Sequence, residues 1–423
     1  MNAMKILFKI VFLLSSAIFF IFIAEGILRL LPKEMNSRIS DMNVNQAGAI
    51  QYDQVLGWKI RPNIQVVNAN EDYVATESFN SRGLRGPEYP YVKRNNEYRI
   101  LILGDSFAEN WTVNFNELFS EELKRRLSKR IDAYVEVINA GVRGYSTDQE
   151  LLYFQGEGKE YHPDLTIVLF CDNDIWYNSE PMFFGRSKPL FTFTGTGPGL
   201  LQPPIESGYN VSISRSFSDE EKSLFRALKR YLRSNSLAHR FIARRINNSF
   251  LLRNILLRCG LISEGPLRLS ESAFNGVVSY PAWYKIYECP NDVRVIKSWN
   301  DTEALLRKIR DEAFSVKSKT LVVSVPSRFM IYEKEWKRYR KKYGFKASIE
   351  DVRKTNIKLR AICKRNDILF INTTDPFIFK ACLLEQKKET LFCMGSDDHL
   401  NRNGNRFLGA IIANFVGSNI AVQ

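Results

Sequence analysis

The sequence predicts an α/β fold built on a doubly wound parallel sheet of five strands. Five short apolar runs, at 100–103, 135–138, 165–170, 320–325 and 368–371, have the length and composition of buried parallel strands. Helical patterns separate them at 117–129, 147–156, 301–315 and 349–365, and a last helix is predicted from 403 to 413. A sheet of this kind places binding and catalytic groups at the carboxyl ends of its strands.

The composition is that of a globular protein with a large core, since 45% of the 423 residues are hydrophobic and 25% are charged. The formal net charge of +14 favours an anionic partner such as acidic lipid or an anionic polysaccharide. No helix-turn-helix, zinc-finger or RNP signature accompanies this charge, so we expect no nucleic acid partner. With three histidines and no CxxC pair, a metal site is not expected, and no cofactor is predicted.

Residues 1–31 predict a segment directed to a membrane. Positions 10–24 are apolar apart from Ser15 and Ser16, and Lys5 and Lys9 precede them. The pattern fits an uncleaved signal-anchor, that is, a transmembrane helix, or a cleaved signal peptide, and the lack of small residues at a cleavage spacing favours the anchor. We therefore expect a single-pass protein of the inner membrane with most of its chain on the periplasmic side.

Three further parts follow the N-terminal segment. Residues 32–97 form a polar lead-in of short strands, in which Gly57-Trp58 and residues 80–86 are predicted turns. The predicted core occupies 98–175 and 299–423, and 176–298 is inserted into it. The middle of this insertion is helical and strongly basic, so it is either a cap with a solvated face or a surface for anionic lipid or charged glycan.

The six cysteines are compatible with an exported protein, but their spacing does not define which of them pair. Two pairs are spaced to close loops, Cys382 with Cys393 and Cys259 with Cys289. Cys171 and Cys363 lie in apolar stretches and are predicted to be buried thiols.

Four polar segments are predicted to meet at one edge of the sheet, and together they supply the groups of a nucleophilic site. Ser106 follows the first strand and is the candidate nucleophile, which needs a base. His399 is the candidate base because the other two histidines are predicted elsewhere. Asp397 and Asp398 both stand close enough in sequence to orient its imidazole ring.

The same edge offers donors for an oxyanion. The candidates are the backbone N–H of Ser106, the N–H of Gly144 and the side-chain amide of Asn173. Each residue has an ordinary alternative role as a helix cap, a turn residue or a loop former. Their occurrence in order, each at a strand end, favours one shared site.

These motifs resemble the GDSL-type esterases of the SGNH hydrolase superfamily. Gly104-Asp105-Ser106 matches the first block of that family, residues 139–144 the second, residues 171–174 the third, and the surroundings of His399 the last. The resemblance implies a flavodoxin-like fold, a catalytic Ser106, and an oxyanion hole formed by Ser106, Gly144 and Asn173. The lead-in, with Gly57-Trp58 and residues 80–83, looks closest to that of membrane-anchored bacterial members.

Two positions depart from the family pattern. Cys171 replaces the glycine of the third block, and Ser396 stands where the family has aspartate three residues before the histidine. Relatives of the alginate O-acetyltransferase type look like Asp-x-His instead, which Asp397 matches, so Asp397 is the expected acid and Asp398 the alternative.

The resemblance implies a serine esterase that acts on O-acyl or O-acetyl groups of an extracytoplasmic glycan or lipid through an acyl-enzyme. The same acyl-enzyme would serve an O-acyltransferase on a polysaccharide. A non-catalytic glycan-binding or assembly protein on a hydrolase scaffold is the alternative from another class.

Overall fold

The computed structural model describes residues 49–69, 72–183, 186–194, 197–204, 282–395 and 397–420, together with Ile23, Glu25 and Gly26. The chain divides into two compact units, one of residues 1–44, 69–74 and 209–264 and the other of residues 45–68, 75–208 and 265–423. Nearly all of the predicted membrane segment and the whole basic middle of the insertion lie outside the described residues. The central sheet and the candidate site belong to the second unit.

The described strands are β1 (Ile50–Asp53), β2 (Gly57–Ile60), β3 (Gln65–Ala69), β4 (Val74–Ser78), β5 (Glu97–Gly104), β6 (Tyr134–Asn139), β7 (Leu165–Phe170), β8 (Met182–Phe183), β9 (Arg186–Ser187), β10 (Leu190–Thr194), β11 (Gly197–Gln202), β12 (Lys319–Ser324) and β13 (Leu369–Asn372). The described α-helices are α1 (Ser106–Glu109), α2 (Phe119–Leu127), α3 (Thr147–Gly156), α4 (Asn173–Tyr177), α5 (Lys285–Glu288), α6 (Val293–Ser315), α7 (Arg328–Ile331), α8 (Glu333–Tyr343), α9 (Ile349–Arg365), α10 (Thr374–Glu385) and α11 (Arg402–Asn419).

The central sheet has five parallel strands in the order β13-β12-β7-β5-β6. The predicted doubly wound parallel sheet is therefore confirmed, and each predicted run falls on one of these strands. The order places β5 between β6 and β7, so the segments that follow these three strands leave the sheet side by side. This arrangement brings the candidate site residues to one edge.

Helices cover both faces of the sheet. On β5, Ile100 and Ile102 pack into a cluster with α2 and α11, whereas Leu101 and Leu103 pack into a second cluster with α3, α6 and α9. Successive side chains of a strand point to opposite faces of the sheet. Both faces of β5 carry apolar side chains, because helices bury both faces.

One helix begins earlier than the sequence pattern indicates. We predict a start at 301, but α6 starts at Val293, where the Asp292 side chain accepts a hydrogen bond from the Arg294 N–H at 2.8 Å. The first two turns are helical because this cap is present and because Val295 and Trp299 are buried in the core.

The lead-in forms two antiparallel pairs, β1 with β2 and β3 with β4. The prediction of a turn at Gly57-Trp58 is wrong, since both residues belong to β2, and the turn lies at 54–56. The Asp53 carboxylate accepts the N–H groups of Val55 and Leu56 at 2.9 Å and closes this turn locally. As a strand residue, Trp58 is buried in a small core with Val142 and Tyr145.

The pairing of Cys382 with Cys393 that the spacing suggests is not formed, since Cys382 is an exposed free thiol. Cys289 is also free and exposed, and Cys259, the partner that the spacing suggests for it, lies outside the described residues. Cys171 and Cys363 are buried, as predicted. Among the described residues, no helix is both long enough and apolar enough to span a membrane.

Candidate active site

Ser106 stands where β5 passes into a short helix. The strand ends at Gly104, and Asp105 caps α1 by accepting the Phe107 N–H at 2.8 Å. Ser106 is the first residue of α1, so its hydroxyl lies at the carboxyl edge of the sheet. Burial raises the pKa of the Asp105 carboxyl, which is itself enclosed beneath the serine.

His399 stands on a loop between α10 and α11 that is closed on itself. Phe392 and Leu400 form an antiparallel bridge, and the Cys393 N–H donates to the His399 carbonyl at 2.9 Å. Directly after the loop, Asn401 caps α11 by accepting the Gly404 N–H at 3.1 Å. These local bonds fix the position of His399 independently of its contact with Ser106.

A continuous chain of hydrogen bonds joins three of the candidate residues. The Ser106 Oγ lies 2.8 Å from His399 Nε2, and His399 Nδ1 lies 2.8 Å from Asp397 Oδ1. The same carboxylate oxygen accepts the backbone N–H of His399 at 3.0 Å. Asp398 is farther from the ring, at 3.8 Å from Nδ1, and its side chain is 49% exposed. The structure therefore brings Asp397, and not Asp398, into the chain.

The carboxylates near His399 determine its protonation. Burial by itself lowers the pKa of the imidazole, but the charge and hydrogen bond of Asp397 outweigh it, and Asp398 and Asp105 add to them. The net effect raises the pKa of His399 to about 9. Such a ring is a strong base that binds a transferred proton tightly.

Two residues that no sequence motif marks, Trp111 and Arg328, hold Asp397 and its loop in place. The Trp111 indole N–H donates to Asp397 Oδ2 at 2.8 Å, and its ring lies 4.2 Å from the His399 ring. The Arg328 guanidinium donates to the carbonyls of Cys393 and Asp397 at 2.7 and 2.9 Å and thereby braces the histidine loop. No spacing in the sequence marks these contacts, because Trp111 and Asp397 are 286 positions apart.

The segment after β6 packs directly against the nucleophile helix. The Asn139 side chain donates to the Ala108 carbonyl at 2.7 Å, and the Val142 N–H donates to the Gly104 carbonyl at 3.0 Å. A Cβ at Gly141 would meet the Ala108 side chain and the Glu109 backbone nitrogen, so glycine permits this close approach. The segment that carries Gly144 is thus fixed relative to Ser106.

Gly144 and Asn173, the predicted oxyanion donors, each follow the carboxyl end of a central strand, β6 and β7 respectively. Gly144 has a φ of +80°, a conformation that L side chains rarely adopt. Asn173 is the first residue of α4, directly after the end of β7, and its Oδ1 atom is buried without a hydrogen-bond partner among the described residues.

Asp397, Asp398 and His399 also form a group whose potential metal-ligand atoms lie within 4.8 Å of one another. Both ring nitrogens of His399 are engaged, one with Ser106 and one with Asp397. The hydrogen-bond chain therefore accounts for this group without a metal ion.

Comparison with known proteins gives one family match and several structural similarities. Residues 102–195 match the profile of the GDSL-like Lipase/Acylhydrolase family. Among solved structures, the chain is similar to an acetyl xylan esterase at 11% identity, with 75% of this chain and 99% of that chain covered and a TM-score of 0.38.

A GDSL-like lipase from Bacteroides thetaiotaomicron shows 12% identity over 79% of this chain and 93% of its own, with a TM-score of 0.35. A catalytic mutant of an acetylxylan esterase from Geobacillus stearothermophilus shows 11% identity over 78% of this chain and 97% of its own, also with a TM-score of 0.35. A search among curated proteins finds no match. Because these TM-scores lie below 0.5, the assignment depends on the family match and the site geometry alone.

A parallel α/β sheet with serine, histidine and aspartate joined by hydrogen bonds at its carboxyl edge is the arrangement of a serine hydrolase. The matched family region begins within β5 and includes Ser106, Gly144 and Asn173. The match of residues 102–195 to the GDSL-like Lipase/Acylhydrolase family, together with this geometry, identifies the chain as an ester-bond hydrolase.

Proposed function

We propose that the protein is a serine esterase that removes O-acyl groups, O-acetyl groups in particular, from an extracytoplasmic glycan or lipid. The observation that carries the mechanism is the hydrogen-bond chain from Ser106 through His399 to Asp397, with both links at 2.8 Å. A hydroxyl held this way can be deprotonated as it attacks a carbonyl carbon.

In the first half of the reaction, Ser106 Oγ attacks the ester carbonyl and its proton passes to His399 Nε2. Asp397 holds the ring by its Nδ1–H and stabilises the imidazolium that forms. The N–H groups of Ser106 and Gly144 and the Asn173 side chain donate to the oxyanion of the tetrahedral intermediate. When this intermediate collapses, the C–O bond to the alcohol breaks, and His399 returns the proton to the departing alkoxide.

In the second half, water attacks the acyl-enzyme, His399 takes a proton from that water, and the carboxylic acid leaves while Ser106 regains its proton. A sugar hydroxyl in place of the water would give O-acyl transfer to a polysaccharide with the same residues. Adding a sugar acceptor and measuring acylated sugar by mass spectrometry separates the two outcomes. Acid release with no acylated sugar supports hydrolysis.

Two features of the sequence motivate the non-catalytic alternative, the absence of the family aspartate at Ser396 and the large insertion at 176–298. Asp397 contacts His399 Nδ1 directly and supplies the carboxylate from a different position. The change in the motif therefore does not favour a protein without activity.

The assignment of the nucleophile is tested with Ser106→Ala on p-nitrophenyl acetate. We expect turnover and labelling by a fluorophosphonate probe to disappear, because both need the Ser106 hydroxyl. The matched control is Ser128→Ala, an exposed serine at the end of α2, which should keep both. Wild-type turnover in purified Ser106→Ala protein would contradict the proposal.

We also propose that the protein is anchored in the inner membrane by residues 1–31, with the catalytic unit on the periplasmic side. The apolar stretch at 10–24, preceded by Lys5 and Lys9, supports this. The basic insertion, by its charge, would contact an anionic surface. Resistance of the protein to alkaline extraction from membranes, together with its digestion by protease in spheroplasts, is the expected result, and recovery in the soluble fraction would contradict it.

A further inference from the structure

The residue that would supply the second oxyanion donor lies in a tight turn. The Tyr145 N–H donates to the Val142 carbonyl at 3.0 Å, and Gly144 has a φ of +80°. These two features define a type II turn with Arg143 and Gly144 at its centre. The Arg143 carbonyl and the Gly144 N–H belong to the same planar trans peptide unit and so point in opposite directions.

A turn of this kind has a competing conformation. Rotation of the central peptide plane by about 180° converts a type II turn into a type I turn and leaves the ends of the turn in place. In that conformation, the Gly144 N–H would point the opposite way. Catalysis by this donor therefore requires something that selects one orientation of a single peptide plane.

The selecting contact comes from the lead-in. The Trp58 indole N–H donates to the Arg143 carbonyl at 3.0 Å, and the Trp58 side chain is almost completely buried. If the peptide rotated, both the indole N–H and the carbonyl would lose this partner inside the protein, which is costly. The Tyr145 hydroxyl donates to the Trp58 carbonyl at 2.6 Å and holds the strand residue against the same turn.

The residue before the peptide plane is fixed as well. The Arg143 backbone N–H and its guanidinium donate to the Glu109 carboxylate of the nucleophile helix, and the guanidinium also donates to Glu77 at 2.7 Å. These bonds place the turn relative to Ser106 but leave the Arg143–Gly144 plane free to rotate. The bond from Trp58 acts on that plane itself.

We infer that Trp58 is a positioning residue of the esterase, because its indole N–H sets the orientation of the peptide unit whose Gly144 N–H stabilises the oxyanion. The inference rests on the proposed function, in which Gly144 is a donor. It also gives the Gly57-Trp58 motif of the lead-in a role in the reaction, although it lies outside the matched family region.

The test is Trp58→Phe, which keeps an aromatic ring in the core and removes the N–H donor. Loss of a full oxyanion donor lowers kcat by about 10²–10³-fold. Partial loss of the orientation of one donor should therefore lower kcat by about tenfold. We expect kcat for p-nitrophenyl acetate to fall by about tenfold with KM changed less than about twofold. The inhibition constant of phenylboronic acid, which forms a tetrahedral adduct on serine, should rise by the same factor as kcat falls.

The matched control is Trp336→Phe. Trp336 is equally buried, and its indole N–H also donates to a main-chain carbonyl, that of Ala347 at 3.2 Å. Its ring packs against other aromatic rings outside the turn, those of Tyr287, Phe329 and Phe345. This variant should lower the melting temperature by a similar amount and leave kcat and boronate inhibition unchanged. If Trp58→Phe does not fold, 3-benzothienylalanine at position 58 removes the N–H at nearly constant shape, and the same changes in kcat and inhibition are expected.

The outcomes separate the two proposals. Wild-type kcat and boronate inhibition in folded Trp58→Phe protein, with Ser106→Ala inactive, would overturn the role of Trp58 and leave the esterase intact. An equal loss of kcat in Trp336→Phe would also overturn it, because the effect would then follow general stability. Wild-type activity of Ser106→Ala would instead remove the proposed function itself.

Discussion

The indole N–H of Trp111 donates to Asp397 Oδ2 at 2.8 Å, while the other oxygen of this carboxylate faces His399 Nδ1. The carboxylate is thus held from two sides, through one oxygen by Trp111 and through the other by His399. The Trp111 ring also lies against His399 and beneath the Arg143 guanidinium, at 4.2 and 4.9 Å. Trp111 therefore touches both the acid and the base of the site.

Trp111→Phe should lower kcat by about three- to tenfold, because the Asp397 carboxylate loses the bond that fixes its orientation. The measurement is kcat for p-nitrophenyl acetate in the wild-type and Asp397→Ala backgrounds. If Trp111 acts through Asp397, its replacement has no further effect once the carboxylate is gone. Equal losses in both backgrounds would show that Trp111 acts by another route.

The pH dependence of the reaction follows from the protonation of His399. Only the neutral ring can accept the Ser106 proton, and its pKa is raised to about 9, chiefly because the carboxylate of Asp397 outweighs the effect of burial. The pH profile of kcat/KM reports the free enzyme. We therefore expect kcat/KM to increase with pH, with its inflection at about pH 9 and a plateau only above that pH. A plateau already reached at pH 6 would contradict this pKa.

The two aspartates should differ sharply in the same experiment. Asp397→Asn removes the main cause of the raised pKa, so the inflection should shift to lower pH, and kcat should fall by up to about 10⁴-fold as the ring loses its orienting acid. Asp398→Asn is the control, since its half-exposed carboxylate lies 3.8 Å from Nδ1. It should change kcat by less than about threefold, because solvent screens exposed charges.

Gly144→Ala should be severely impaired for two separate reasons. The residue has a φ of +80°, and an added Cβ would lie 2.5 Å from the ring of Phe183. We expect a stability loss of about 1–3 kcal/mol from the backbone strain, and a decrease in kcat of at least about tenfold as the turn adjusts.

Gly156→Ala is the matched control for this substitution. It lies at the end of α3, and nothing lies within 4 Å of an added Cβ. Alanine there should be neutral or stabilising by up to about 1 kcal/mol, since it favours the helix over glycine. Urea unfolding and kcat measured on both variants test the pair, and similar behaviour of the two would show that the turn at 144 tolerates a side chain.

Much of the architecture could be predicted because local sequence patterns determine it. The apolar runs marked the five central strands, and the helices at 147–156 and 349–365 have the predicted bounds, since periodicity and caps are properties of neighbouring residues. The start of α6 was predicted too late because burial of Val295 and Trp299 depends on partners distant in the sequence. The turn at Gly57-Trp58 was predicted wrongly for the same reason, because the pairing of these residues with β1 cannot be read from the two residues themselves.

The sequence by itself determined the fold class and the strand ends that carry the candidate site residues. It also determined the choice of Ser106 as nucleophile and His399 as base. Only the tertiary structure decided which aspartate faces the ring, because Asp397 and Asp398 are adjacent and differ in direction rather than in type. It alone also revealed the bonds from Trp111 to Asp397 and from Trp58 to the Arg143 carbonyl, which span 286 and 85 positions. A hydrogen bond depends on distance and angle in space, and these arise only when the strands and loops pack against one another.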